Sequence, residues 1–236
     1  MSLFSSAGGD FLLRWLHFLA GITWIGLLYY FNFVQGPFMA EADAAAKSGV
    51  TQKLLPRALW WFRWGAMVTF LSGALIILKR VGEAPAGIPV WTSPWGVAIL
   101  TGALFGTIMF ANVWLVIWPN QKIVIANAVA TAGGAAANMA APAAARRALL
   151  ASRTNVVFSV PMLFFMGAAS HLAPGVTGSV TSYWLAVLVV AALVELNALM
   201  GDKGVTKQPI EKIPGVITSG FVLWAVVFAA VQLLLT

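Results

Sequence analysis

Long apolar stretches alternate with shorter polar connections along the chain, and this pattern predicts the fold. An apolar helix needs about 20 residues to cross the hydrocarbon layer of a membrane. Six stretches meet that requirement, at residues 11–34, 61–78, 95–118, 155–172, 182–200 and 215–235. The predicted fold is therefore all-α, an integral membrane bundle of about six transmembrane helices.

Composition excludes the main alternative, a soluble domain with a large core. Of the 236 residues, 61% are hydrophobic and only 9% are charged, whereas about a quarter of the residues of a soluble domain are charged. We therefore interpret residues 1–236 as a single transmembrane domain in contact with lipid. The absence of cysteine excludes disulfides, thiolate metal sites and attached c-type haem.

The basic residues predict the orientation of the bundle. Eleven of the 14 Lys and Arg residues lie in or beside the first, third and fifth connections, and three lie on the other side. Because cytoplasmic loops carry the excess of positive charge, both termini are predicted to lie outside. These basic loops also account for the net charge of +7, so no nucleic-acid partner is expected. The Ala-rich amphipathic segment 126–151 predicts two short helices on the cytoplasmic surface.

Two histidines are the first functional candidates, because ionisable residues inside a membrane are costly. Counting along the helices puts His17 and His171 at one depth near the outer face. Two imidazoles from two helices at one level are what bis-His haem b requires. Structural histidines and a copper or zinc site are the alternatives. No third strong ligand lies at that depth, so no metal beyond haem iron is expected.

Neighbouring residues are compatible with a flat macrocycle. Gly21 and Gly167 each lie one turn inward of a histidine and would leave room beside the backbone. Basic residues available for haem propionates are Arg14, Lys79 and Arg80. Each feature also has an ordinary explanation, since glycine packs membrane helices and basic side chains reach for headgroups.

A second candidate site is a polar cluster at the inner ends of the helices. Its members are Arg63, Asn112, Asn120, Gln121, Lys122, Arg153, Asn155 and Glu195. Such a mixture of guanidinium and amide groups suits a flat, polar, anionic molecule. The alternative is an interfacial belt with one structural ion pair. Because a carboxylate should not stand alone in lipid, Glu195 is expected to pair with Arg63, Lys122 or Arg153.

Four segments carry a resemblance to a known family. They are FLLRWLHFLAGITWIGLLYYFNFVQ at 11–35, WWFRWGAM at 60–67, WPNQK at 118–122 and SRTNVVFSVPMLFFMGAASH at 152–171. Together they resemble the membrane domain of the bacterial cytochrome-c-linked urate hydroxylases. In that family urate is oxidised to 5-hydroxyisourate and a fused cytochrome c collects the electrons. The resemblance implies a redox protein of the bacterial inner membrane, with a purine bound in the polar cluster.

The chain departs from that family in two ways. It ends at Thr236 without a cytochrome domain, so a separate cytochrome c is the expected partner. Thr154 stands where the family pattern leads us to expect His. One alternative is therefore a non-catalytic haem-binding or anchoring subunit of a larger respiratory or photosynthetic complex. Another is a protoporphyrinogen-oxidase-like enzyme, because His17 followed by Trp24 is similar to those membrane proteins and to copper-resistance proteins.

Overall fold

The computed structural model describes residues 3–84 and 89–236, and it contains six helices long and apolar enough to cross a membrane. They are α1 Ser6–Glu41, α2 Ala44–Gly82, α3 Pro94–Ala132, α4 Ala141–His171, α5 Val180–Leu199 and α6 Ile213–Leu234. No strand occurs in the described ranges. The predicted all-α bundle of six spans is confirmed, and the protein is a multi-pass membrane protein.

The bundle has two ends. At one, the basic end, the chain passes from α1 to α2, from α3 to α4 and from α5 to α6. At the other, the terminal end, α1 begins and α6 finishes. The orientation of these ends in a membrane stays a prediction. Residues 85–88, between α2 and α3, lie outside the described residues.

Four helices extend further at the basic end than the apolar pattern predicts. The Ala-rich segment does not form separate surface helices, because α3 runs on to Ala132 and α4 starts at Ala141. The break between them contains Gly134 with a φ of +87°, a conformation that suits glycine. Alanine favours helix in water. The helices therefore continue beyond the apolar stretches, and these extensions at the basic end are called the arms of α1 to α4.

Three π-helical segments interrupt the basic halves of α1, α2 and α3. They are Tyr30–Gln35, Val50–Leu54 and Asn112–Ile117. Each stops two residues before a proline, namely Pro37, Pro56 and Pro119. Proline has no N–H to donate and its ring clashes with the carbonyl four residues back. The wider π turn, in which Gly36 N–H donates to Phe31 O, accommodates the proline without ending the helix.

Helix α4 lies at the centre of the bundle. In its most apolar stretch of 18 residues 61% of the residues are buried, against 17–33% in the corresponding stretches of the other five helices. Glycines on its neighbours allow close approach: a Cβ at Gly102 of α3 would lie 3.1 Å from the Met166 nitrogen, and one at Gly220 of α6 would lie 2.7 Å from Val160 Cγ2. Small residues at contacts are typical of membrane helices.

Candidate functional site

His17 of α1 is held against α2. Its Nδ1 lies 3.1 Å from Ser72 Oγ, and a Cβ added at Gly73 would lie 2.9 Å from His17 Cε1. Ser72 Oγ donates its own proton to Val68 O at 2.6 Å, so its oxygen accepts from the Nδ1–H of His17. In the neutral tautomer that carries this proton, the lone pair lies on Nε2. A fixed ring with a free nitrogen lone pair is the form in which histidine binds metals.

Two contacts between the antiparallel helices α1 and α4 bear on the depths of the histidines. The Tyr29 hydroxyl lies 2.9 Å from Ser159 Oγ, which puts His17 29 − 17 = 12 residues and His171 171 − 159 = 12 residues from that contact. Asn32 Nδ2 donates to Ser152 Oγ at 2.8 Å, which puts them 32 − 17 = 15 and 171 − 152 = 19 residues away, a difference of about 6 Å at 1.5 Å per residue. The common depth of the two histidines stays a prediction.

The surroundings of the two histidines differ. His17 faces α2, where its ring meets Ser72 and Gly73. His171 is exposed at the end of α4. A pocket shared by both stays a prediction.

The other apolar candidates near the two histidines have different surroundings. A Cβ at Gly21 would lie 3.8 Å from Thr69 Cγ2, so Gly21 faces α2, whereas Gly167 is open with nothing within 4 Å. Trp24 is only 2% exposed, and its buried indole N–H has no partner. Sequence reasoning missed Ser72 and Gly73, which form the seat of the His17 ring on α2. The signal that could have identified them is the Ser-Gly pair in the neighbouring helix.

The basic residues of the terminal end are partly neutralised. Lys79 forms an ion pair with Asp10 and lies 3.2 Å from Glu83 Oε1. The Arg80 guanidinium lies 5.7 Å from the centroid of the Trp95 ring. Arg14 lines the same shallow depression as Lys79 and forms no ion pair within the described residues. Arg14 is therefore the cation best placed for an added anionic group.

The polar cluster at the basic end divides into three groups, of which the first is a buried amide network. Asn112 Nδ2 donates to Asn155 Oδ1 at 2.9 Å and to Glu195 Oε2 at 3.0 Å. Asn155 Nδ2 donates to Met109 O at 3.0 Å. This network joins α3, α4 and α5. The predicted ion pair of Glu195 with Arg63, Lys122 or Arg153 is wrong, because the Asn112 amide takes that place.

The second group surrounds an indole ring. The Arg63 guanidinium carbon lies 3.8 Å from the centroid of the Trp118 ring, and Lys122 Nζ lies 5.7 Å from it. A cation over an indole face is a favourable pair. Asn120 Nδ2 donates to Val116 O at 2.8 Å, a hydrogen bond within its own helix. Arg63 and Lys122 therefore form a cationic, aromatic surface between α2 and α3.

Three buried polar atoms of α1 and α3 have no hydrogen-bond partner among the described residues. They are Gln35 Oε1, Trp114 Nε1 and Gln121 Oε1. Ring contacts join α1, α2 and α3 at this depth: Phe31 lies 5.3 Å from Phe62, and Trp64 lies 5.7 Å from Trp114. Buried polar atoms without partners are rare. Their presence beside the π segments, which often occur at functional sites, indicates a place for a polar ligand or water.

The third group is a clasp formed by Arg146, Arg153, Asp202 and Glu211. Arg153 Nη1 donates to the carbonyls of Ile210 and Glu211 at 2.9 and 2.6 Å. Arg146 pairs with the Glu211 carboxylate and donates to Asp202 O at 2.7 Å from Nη2. Arg153 therefore anchors the α5–α6 connection through Nη1, and its predicted role as a substrate ligand stays a prediction.

The clasp should weaken in acid. The hydrogen bond from Arg146 holds the pKa of Glu211 below its ordinary value. Folding therefore favours the carboxylate, and its stabilising contribution is present above about pH 4 and lost as pH falls further. Between pH 7 and pH 3 we expect the hydrogen-exchange protection of residues 202–212 to fall about threefold, because Glu211 is partly exposed and its ion pair is screened.

Glu211→Gln should show the lower protection already at pH 7. Glu41→Gln is the control, since Glu41 is an exposed carboxylate at the same end of the bundle and should change nothing. Equal protection of residues 202–212 at both pH values in the unmodified chain would contradict a role for the Glu211 charge.

These features define a class, a multi-pass helical membrane protein with a half-buried histidine held by Ser72 at one end and a polar cluster at the other. The family Urate oxidase N-terminal matches residues 88–231, and the chain belongs to this family. The match includes α3, α4 and α5 and most of α6, whereas His17 and Arg63 precede it. No curated protein and no solved structure matches the chain. The resemblance found in the sequence is thus confirmed at the level of the family.

Proposed function

We propose that this chain is a membrane redox protein that binds haem b through His17 and passes electrons to a cytochrome c at the terminal end. The observation that carries the proposal is the seat of His17, where Ser72 fixes the ring and leaves Nε2 free. Haem bound there would supply one-electron transfer. Membership of the Urate oxidase N-terminal family supports a redox role.

His17 is the proposed axial ligand. Ser72 orients its imidazole, and Arg14 lies one turn further out, where a propionate would need a cation. His171 is exposed at the end of α4. It is the candidate second ligand, and its variant is tested separately from that of His17.

A purine site at the basic end is the second part of the proposal. Arg63 over Trp118 offers a positive charge and an aromatic face, while Gln121 Oε1 and Trp114 Nε1 offer an unused acceptor and an unused donor. A flat anion with ring N–H and carbonyl groups, such as urate, matches that set. The family's name supports the same substrate. The alternative, a non-catalytic subunit, requires none of these groups to meet a ligand.

One spectroscopic experiment tests both parts. The full chain, purified in detergent from haem-replete cells, should show a b-type α band in its dithionite-reduced minus oxidised spectrum. Urate in place of dithionite should produce the same band, and buffer without purine is the control. A band with dithionite but none with urate would support the subunit alternative. Absence of the band under both conditions would overturn the haem proposal.

A further inference from the structure

A cavity lies between the terminal ends of α4 and α6, away from the His17 seat and the polar cluster. Its volume is about 220 Å³, and its walls include Phe164, Phe165, Ala168, Leu172, Phe228 and Gln232. The connection that follows α4 is tied over this end, because Thr177 N and Gly178 N donate to Leu235 O at 2.8 and 3.0 Å. The cavity is thus a built part of the fold.

Aromatic rings dominate the walls. The ring centroid of Phe164 lies 5.2 Å from that of Phe165 and 5.9 Å from that of Phe228, both edge-on. The Trp224 ring stacks on the Phe228 ring, and their centroids are 5.7 Å apart. Such rings offer faces and edges to an aromatic guest. A cavity of about 150 Å³ lined by apolar side chains binds benzene, so this larger cavity suits one substituted six-membered ring and excludes a macrocycle.

The polar character of the cavity is limited to its rim. The lining side chains carry no charge, and Gln232 and Thr236 supply the polar ones, so an anion such as urate would lose its hydration without meeting a cation. The side-chain amide of Gln232 has no hydrogen-bond partner among the residues that the structure describes. An apolar site with one free amide recognises a neutral ring that carries a carbonyl or hydroxyl oxygen.

We propose that this cavity binds the ring of a membrane-dissolved quinone or quinol. The ring lies against the wall that Phe164 and Phe228 form, and one ring oxygen bonds to the Gln232 amide. The hydrophobic tail leaves past Leu172, which lines the cavity and is 64% exposed. The inference stands apart from the haem and purine proposals, since it uses none of their residues.

The test titrates decylubiquinone into the full chain in lipid nanodiscs and follows quenching of tryptophan fluorescence, to which Trp224 contributes. Saturable quenching is expected. Ala168→Phe, which fills the cavity, should abolish it. Gln232→Leu should weaken binding about fivefold, the effect of one hydrogen bond. Leu233→Ala, the adjacent lipid-facing position, is the control and should bind like the unmodified chain.

Gln232→Leu is a surface change and keeps the test decisive if Ala168→Phe does not fold. Quenching that rises linearly without saturation would overturn the proposal. So would equal affinities in Gln232→Leu and Leu233→Ala. Displacement of decylubiquinone by an equal concentration of decanol would show that the cavity holds an acyl chain, and would overturn it as well.

Discussion

Replacing His17 by alanine is expected to lower the haem content of the purified chain at least tenfold. The imidazole is the group whose Nε2 lone pair is free and whose orientation Ser72 and Gly73 fix. Alanine removes the ligand and leaves no other nitrogen donor at that place on α1. Haem per protein, measured by the reduced pyridine haemochrome, checks the result. Ser72→Ala should have a smaller effect, since it frees the ring without removing it.

His171→Ala separates the two histidines. If His171 is the second axial ligand, this variant should convert a low-spin haem to a high-spin one while much of the haem stays bound. An unchanged spectrum would show that His171 is not a ligand. Ser170→Ala, at the preceding exposed position, is the matched control. Full haem content in His17→Ala would refute the assignment of the site.

Asn155→Leu is expected to cause the largest loss of stability, a decrease of about 2–5 kcal/mol in the free energy of unfolding. Asn155 is fully buried, accepts from Asn112 and donates to Met109 O. Leucine has a similar size but makes neither bond. One Asn112 hydrogen then remains buried without a partner, which costs about 1–3 kcal/mol. The Met109 carbonyl keeps the backbone N–H of Asn112 but loses its second bond, which costs about 0.5–1.5 kcal/mol more.

Denaturant unfolding in detergent micelles, followed by circular dichroism, measures this effect. Asn197→Leu is the control, because Asn197 makes one exposed bond, to Thr206 O at 3.1 Å. Its cost should stay below about 1 kcal/mol. Equal losses in the two variants would mean that the buried network does not contribute to stability beyond an ordinary surface bond.

The fold was predictable to the extent that lipid selects for apolar residues. The apolar pattern gave the bounds of α5 and α6 to within two residues of 180–199 and 213–234. It missed the arms of α1 to α4, because a helix that continues into water needs no apolar residues. Alanine content could have indicated the arms beyond Ala126, but nothing in a hydropathy pattern shows that they are continuous with the spans.

The site was predictable in part. The sequence grouped Asn112, Asn155 and Glu195 correctly, whereas the common level of His17 and His171 stays a prediction. The sequence could not show which amide meets which carboxylate, because that depends on how far each helix is turned about its axis. Glu211 attracted no attention, since its role in the clasp depends on contacts about 60 residues away along the chain, to Arg146 and Arg153.

The π turns have a consequence for how the bundle tolerates change in length. Each turn holds one residue more than an α-helix needs for the same rise, and so rotates the arm beyond it by about 100°. Deleting one residue of a π turn and replacing the following proline (Pro37, Pro56 or Pro119) would restore a regular helix. The arm beyond that turn would then point in a different direction. Helix α4 contains Pro161 without such a turn. The arms of α1, α2 and α3 can therefore gain or lose a residue without a shift of the membrane-spanning parts of these helices.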